Sequence, residues 1–315
     1  MSTDVLGPPY TARTIPLPPD DEGEVVATLV HRPAPEPTGR AVLYLHGFDD
    51  YFFQDHVAEF WVTEGYAFYA LDLRKYGRSL LPHQTPNFCT DLAEYDAELD
   101  EAVRIIRDED GHGSLTVTGH STGGLVAALW ADRRPGTVDA LVLNSPWFDL
   151  NRPWLDRTVL SRAINALGAR RPRQILQKDV PPHYTRSIHR DHAGEWDFDL
   201  SWKRINAFPI RAGWMRAIRQ GHARLARGLD VGCPALVACS TRSTSPTQWS
   251  DEIYTADAVL DVRHIARRAP LLGRHVTIVR IPDGVHDLAL SGPKAREAYF
   301  GEVRRWCRTY VCPGA

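Results

Sequence analysis

The segment "LTVTGHSTGGLVAAL", from Leu115 to Leu129, sets Ser121 between Gly119 and Gly123. Gly-x-Ser-x-Gly recurs by chance and a serine among glycines can be a mere turn residue, so the flanking residues decide. Leu115, Val117 and Gly119 alternate with Thr116 and Thr118 as a short strand does, while Leu125, Val126, Leu129 and Trp130 recur at helical spacing. The motif therefore joins a strand to a helix. That is the setting of a nucleophile elbow: glycines at 119 and 123 relieve crowding in a tight turn and lift the hydroxyl above the sheet edge, and Gly124 leaves room where helix meets strand. A hydroxyl displayed this way suits attack on a carbonyl carbon, provided that a neighbouring base removes its proton.

The elements that must hold such a turn alternate along the chain. Strands are predicted at Thr11 to Leu17, Glu24 to His31, Ala41 to Leu45, Ala67 to Leu73, Leu115 to Thr118, Ala140 to Asn144, Ala235 to Cys239 and Val276 to Ile281. Helical segments lie between them. In "DLAEYDAELDEAVRIIRDE", Leu92, Tyr95, Leu99, Val103 and Ile106 share one face, and acids outnumber bases near its start, as the helix dipole favours. This alternation predicts a mostly parallel sheet covered by helices on both faces, with working groups at the carboxyl ends of the strands. One stretch breaks the rhythm. From about Asn151 to Gly228 no apolar strand is visible and proline, arginine and tryptophan dominate, which reads as a helical cap inserted into the sheet domain. The expected division is 1–150 and 229–315 for the core, with 151–228 as the cap.

Residues 151–228 hold 16 Arg and Lys against 6 Asp and Glu, net +10, so the remainder carries −12 to reach the overall −2. An excess of this size suits attraction of anionic substrates or transient contact with an anionic membrane surface; solvated cap helices in an arginine-rich protein are the favoured, plainer reading. Trp147, Trp154, Trp196, Trp202 and Trp214 lie in or beside this region and can build either cap core or an apolar acyl pocket. The five cysteines, Cys89, Cys233, Cys239, Cys307 and Cys312, match neither a metal knuckle nor a redox pair and read as ordinary thiols. The opening residues lack a basic-then-apolar leader and no apolar run approaches a membrane span, so a cytoplasmic location is expected.

Four stretches in order, "YLHGF", "LDLRKYGRS", "GHSTGG" and "DGVHDLALS", together with the placement of the insertion, resemble the α/β-hydrolases of the serine hydrolase type. The resemblance is to the branch of monoacylglycerol lipases, lysophospholipases and related esterases, with their S33-type domain. It implies an α/β-hydrolase fold, a mostly parallel eight-stranded sheet flanked by helices with a helical cap insertion. Ser121 is then the nucleophile. Of thirteen histidines only His286 follows the last predicted strand, in a loop with Gly284 at its turn, as the chain order Ser, acid, His requires; His120 is part of the elbow and His275 precedes that strand. The acid belongs in the loop after the strand ending at Cys239, where Asp251, Glu252, Asp257 and Asp261 compete. Asp257 lies 29 residues before His286, a spacing that resembles the family's acid, and is the choice; its bland alternative is a helix N-cap, and Asp261 stands second. The acid would hold the imidazole's tautomer and stabilise its protonated form. By the same resemblance the backbone N–H groups of Phe48 and Thr122 form the oxyanion hole, and His46, Asp72, Arg74, Gly77 and Ser79 are structural.

These parts imply hydrolysis of a small-molecule carboxylic ester, with an apolar acyl part, through an acyl-enzyme. No metal, organic cofactor or nucleic-acid partner is implied, nor any oligomeric state. Thioester and carbon–carbon bond hydrolysis can use the same triad. Dehalogenase and epoxide hydrolase readings fall because the elbow carries Ser121 and not Asp, and the cap has one tyrosine, Tyr184. A proline-type aminopeptidase needs cap carboxylates for a substrate ammonium, where this cap has one glutamate, Glu195. A ligand-binding protein on a hydrolase scaffold is the reading from another class, opposed by Ser121 and His286.

Overall fold

The computed structural model describes residues 1–36, 38–150, 164–244 and 249–311. All eight predicted strands lie in one sheet: β2 (Thr11–Asp20), β3 (Gly23–Arg32), β4 (Arg40–Leu45), β5 (Ala67–Asp72), β6 (Ser114–His120), β7 (Ala140–Asn144), β10 (Ala235–Ser240) and β11 (Val276–Ile281). A two-residue strand, β1 (Ser2–Thr3), adds a ninth at the edge, and the order is β1-β2-β3-β5-β4-β6-β7-β10-β11. β1, β2, β3 and β5 meet antiparallel; from β5 to β11 every neighbour is parallel.

The parallel strands read as apolar runs because both faces are covered. Successive residues take opposite sides: Leu43 and Leu45 join the core formed with Leu125, Leu129, Trp130 and Ile265, whereas Val42 and Tyr44 join the one formed with Trp61, Tyr299, Val303 and Trp306. The first layer holds α2 (Asp96–Arg104), α3 (Thr122–Arg133) and α7 (Val262–Arg268), the second α1 (Asp55–Thr63) and α8 (Pro293–Tyr310). α2 is the middle of the predicted amphipathic segment; Asp91 and Glu94 form a capping box before it, and it widens into a π turn over Ile105–Glu109.

Register sets the working edge. Leu45 pairs with Gly119, His120 with Asn144, Asn144 with Ala238, and Ser240 with Ile281, so the strands end nearly level and the loops after them emerge together.

Between β7 and β10, the described residues 145–150 and 164–234 lie outside the sheet. A wholly helical insertion without strands was expected, and here the structure differs. Besides helices α4 (164–170), α5 (His183–Ile188) and α6 (Ala212–Leu225), the described residues contain an antiparallel pair, β8 (Ile175–Gln177) and β9 (Ile210–Arg211). Their three and two residues are too few for an alternation signal, and β8 is exposed throughout. The insertion's positive charge is partly paired with acids elsewhere: Arg173 meets Asp21, Lys203 meets Asp50 and Arg224 meets Asp132. Trp154 lies outside the described residues. Among the described residues no helix is long and apolar enough to cross a membrane.

α6 lies against α3, and its His222 is buried with Nε2 2.8 Å from the Trp147 carbonyl. Burial pushes this imidazole down to about 4 despite that bond. An unfolded chain with an ordinary histidine near 6.5 therefore binds a proton that the native state refuses, so stability falls as pH drops from about 6.5 toward 4. His222→Gln should flatten this acid limb: the loss of Tm between pH 7 and 4.5 should be smaller than in the wild type. Parallel Tm curves for the two proteins would remove His222 from the account.

Candidate active site

The turn from β6 into α3 has to reverse direction within one residue. Ser121 occupies φ 52° and ψ −116°, a conformation that non-glycine residues seldom adopt and that the surroundings must enforce. Its N–H donates to the Asn144 carbonyl at 3.0 Å, and its own carbonyl accepts from Gly124 and Trp147. No side chain fits beside it: a Cβ on Gly119 would come within 2.7 Å of the Gly123 carbonyl oxygen, and one on Gly123 within 2.4 Å of that of His46. A Cβ on Gly124 would press on Pro146 at 2.8 Å.

After β11, the loop that turns at Gly284 brings His286 over the elbow. Its Nε2 lies 3.1 Å from Ser121 Oγ and its Nδ1 3.0 Å from Asp257 Oδ2. A carboxylate can only accept, so Nδ1 carries the proton and Nε2 is left to accept from the serine hydroxyl. Asp257 is fully buried. Its other oxygen accepts the N–H groups of Val259 and Leu260 at 2.8 and 2.7 Å, which fixes the carboxylate plane facing the imidazole. The competing acids lie elsewhere: Asp261 caps α7 and pairs with Arg263, while Asp251 and Glu252 sit exposed in a short 3-10 turn. The alternative reading of Asp257 as a helix N-cap does not hold, since the helix begins at Val262 and its N-cap is Asp261. His275 precedes β11, its carbonyl accepting from Ala235 at the opposite end of the sheet.

Phe48 and Thr122 flank Ser121 from two loops. Among the described residues neither backbone N–H has a protein acceptor. Thr122 is the first residue of α3, where N–H groups are free by geometry. Phe48 is aimed from below. His46 accepts the Leu73 N–H at Nε2 (3.1 Å) and therefore carries its proton on Nδ1, which donates to the Gly47 carbonyl at 2.8 Å. Carbonyl and N–H of one trans peptide point oppositely, so holding the Gly47 oxygen directs the Phe48 N–H the other way. A Cβ on Gly47 would lie 3.2 Å from Ser121 Cβ, crowding the approach.

Several residues at the site gave no signal in the sequence. Asn144 receives the Ser121 N–H on its carbonyl; its side chain donates to Asp287 at 2.7 Å and accepts from Leu288 at 3.2 Å, tying the serine turn to the histidine loop. Asp287 is buried, and burial alone would raise its carboxyl. His120 and the hydrogen bonds from Asn144 and the Ala289 N–H outweigh that and hold it below its usual range. Burial also pushes His120 down. Tyr184, from α5, accepts the Asp287 N–H at 3.1 Å and sets its ring edge against His286 at 5.6 Å. Burial drives its hydroxyl well above the ordinary tyrosine range. Sequence spacing offers no route to the contacts of Asn144 and Tyr184 with the histidine loop, because they join residues more than a hundred apart in the chain.

"LDLRKYGRS" forms a buried turn beside the site. Asp72 accepts the N–H groups of Phe52 and Arg78 at 3.0 Å, and Arg74 is bound to buried Glu98. Gly77, at φ 44°, has no space for a Cβ against Tyr51 and Asp72.

A cavity of about 370 Å³ opens onto Ser121 and His286. Phe48, Trp147, Ile210, Trp214, Val259 and Leu260 supply apolar wall, and Asp49, Asp50, Tyr184 and Lys203 also reach it. Asp50 is paired with Lys203 at 2.9 Å, both nearly fully buried. Asp49 accepts the N–H groups of Phe208 and Arg204 at 3.0 and 3.1 Å; burial nevertheless pushes its carboxyl up to about 8.

The sequence profile of the family described as serine aminopeptidase, S33, matches residues 36–241. The chain belongs to this family of α/β-hydrolases. A 1-acylglycerol-3-phosphate O-acyltransferase ABHD5 of Sus scrofa is 34% identical over 103 residues, and the Homo sapiens protein is 35% identical over 104. These matches cover 32% of this chain and 28% of the relatives' length. Among solved structures, the monoacylglycerol lipase of Paleococcus ferrophilus superposes with a TM-score of 0.65 at 17% identity, covering 89% of this chain and 98% of the other. A soluble variant of the Saccharomyces cerevisiae monoglyceride lipase, in complex with a substrate analog, gives 0.68 at 14% identity, covering 95% and 96%. At these identities the likeness is one of fold, and it covers 89% and 95% of this chain.

The steric account of the elbow makes a prediction within this family fold. Gly123→Ala should lower Tm by about 2 to 5 °C, the range for overpacking a tight core in a chain of this size. Gly301→Ala, in α8 where a Cβ meets nothing within 4 Å, should leave Tm unchanged or raise it slightly. Equal melting curves for the two variants would contradict the account.

Proposed function

We propose that this protein is a serine hydrolase that cleaves carboxylic esters with an apolar acyl part, using Ser121 as nucleophile, His286 as base and Asp257 as the orienting acid, beneath a cap formed by residues 151–228. The observation that carries this reading is the pair of hydrogen bonds that His286 makes at once to Ser121 and Asp257. Nε2 takes the hydroxyl proton as Oγ attacks the acyl carbon. Asp257 stabilises the imidazolium that forms, and the Phe48 and Thr122 N–H groups receive the charge developing on the carbonyl oxygen. Collapse of the tetrahedral adduct expels the alcohol, which takes the proton back from Nε2, and leaves Ser121 acylated. Water then repeats the sequence, activated by the same nitrogen, and frees the acid. The apolar wall of Trp147, Trp214, Ile210 and Leu260 supports an acyl chain as the larger part of the ligand.

Peptide cleavage of the kind in the family's description is less well supported. A substrate ammonium needs a free carboxylate, but Asp50 is neutralised by Lys203 and both oxygens of Asp49 are occupied by backbone N–H groups. Tyr184 and the basic residues of the cap leave no other acid on the cavity wall among the described residues.

Two measurements test the reading. A fluorophosphonate probe followed by peptide mapping should modify Ser121, and Ser121→Ala should abolish hydrolysis of p-nitrophenyl acyl esters, a loss on the order of a millionfold in turnover, with the fold intact. Substantial esterase activity in the purified variant would sink the assignment. Asp257→Asn should cost roughly ten-thousandfold in kcat, whereas Asp251→Asn and Asp261→Asn should change it little. A crippled Asp261 variant beside an active Asp257 one would reassign the acid.

A further inference from the structure

The loop that carries the Phe48 N–H has little holding it from the sheet side. Phe48 and Asp49 form a local turn; among the described residues, no backbone group of Phe48, Asp49, Asp50 or Tyr51 hydrogen-bonds to the sheet or to the cap, and Asp49 sits at φ 52°. The nearest fixed backbone points are the Gly47 carbonyl, held by His46, and the Phe52 N–H, held by Asp72. Between them the side chains do the holding, and they reach into the cap. Phe48 packs against Trp214, rings tilted by 40° with centroids 4.2 Å apart. The Asp49 carboxyl is enclosed by the turn of residues 204–208, receiving the Arg204 and Phe208 N–H groups. Asp50 pairs with Lys203, whose ammonium also lies over the rings of Phe53 and Phe198. Tyr51 accepts the Asp199 N–H at 2.7 Å and meets Trp202 edge-on at 5.1 Å.

We infer that the cap segment 198–208 is a positioning element for the oxyanion hole: by gripping Asp49, Asp50 and Tyr51 it fixes the backbone that presents the Phe48 N–H. This rests on the serine hydrolase reading above and assigns the cap a part in the chemical step besides enclosing the substrate. The two donors differ in origin. Thr122 is set by the elbow and by α3, within the core; Phe48 is set jointly by His46 below and the cap above. Asp49 is the principal positioning residue, because its one side chain closes two hydrogen bonds across the interface from the position next to the donor. The Asp50–Lys203 pair is the second anchor.

A donor that drifts from its place weakens the transition state more than the bound ester, since the charge it serves appears only on the tetrahedral adduct. The test compares kcat and KM for p-nitrophenyl butyrate, and the rate of Ser121 labelling by a fluorophosphonate, in wild type, Asp49→Ala and Asp49→Asn. Asp49→Ala should lower kcat and the labelling rate by about a hundredfold, the scale of losing one oxyanion donor, with KM within about threefold. Asp49→Asn, whose amide oxygen still accepts a backbone N–H, should recover at least tenfold of that loss, a rescue that a purely structural role would not produce. If Asp49→Ala does not fold, the double change Asp50→Asn with Lys203→Met, which removes both buried charges together, should lower kcat at least tenfold at similar KM. A folded Asp49→Ala, or failing that a folded double variant, with wild-type kcat overturns the inference, as does a loss confined to KM. A wild-type protein that neither takes the probe at Ser121 nor cleaves the ester overturns the hydrolase reading and this inference with it.

Discussion

The structure depends on one steric constraint: β6 must become α3 within a single residue while that residue's hydroxyl stays clear of both. Ser121 meets it in a backbone conformation with positive φ, and such a conformation persists only where the surroundings leave no alternative. Gly119, Gly123 and Gly124 remove the side chains that would push strand, helix and the neighbouring β4 loop apart. The carbonyl of Asn144 and the N–H of Trp147 then hold the turn from the β7 side. Because β4 and β7 flank β6, the residues just past their ends are brought to the same serine, and the Phe48 N–H and Asn144 become its neighbours through sheet order alone.

A second layer of polar groups lies behind these contacts, and it is costly to bury. Asp287, Asn144, Gln54 and Tyr44 form a chain of hydrogen bonds under the histidine loop, with Gln54 donating to both Tyr44 and Asp287. Apolar residues of the same volume would often be as stable, so such a network is weak evidence for stability and better evidence for geometry. Here the geometry is specific. Asn144 is bonded to the serine turn through its backbone and to the histidine loop through its side chain, so the separation of the two loops is set by one rigid residue and not by two independent hinges. Tyr184 extends the same network into the insertion.

What was legible in the sequence follows from the range of each signal. The central parallel strands β4, β5, β7 and β10 were readable as apolar runs because both their faces are buried, and the strand-to-helix switch around Ser121 is a local change of period. His286 was readable from chain order and a glycine turn. Asp257 was separated from Asp251 and Asp261 only by a spacing borrowed from related proteins, since all three stand in a polar loop; in space, the N–H groups of Val259 and Leu260 turn Asp257 inward while Asp261 caps α7. Strands β1, β8 and β9, at two or three residues each, are shorter than any period that could reveal them. Asn144, Tyr184, Asp287 and the Asp50–Lys203 pair were illegible for another reason: each acts through a partner at least forty residues away, and nothing local marks it.

The charge asymmetry is in part internal to the chain. Sixteen basic and six acidic residues in 151–228, set against a core at −12, suggest a surface built to attract anions. Arg173, Lys203 and Arg224 instead meet Asp21, Asp50 and Asp132 across the junction with the core, and Arg173 also approaches Glu22. Part of the excess is therefore complementarity between two pieces of one chain. Exposed pairs such as Arg173 with Asp21 contribute little to stability in water. The buried Lys203–Asp50 pair is different: both charges are withdrawn from solvent beside the cavity, so removing either partner alone leaves an uncompensated ion there. Charge at this junction thus works by register. It favours one seating of the insertion on the loop of Phe48 to Tyr51, since a shift of a few ångströms would strand Asp50 and Lys203 apart in an apolar setting of Phe53 and Phe198.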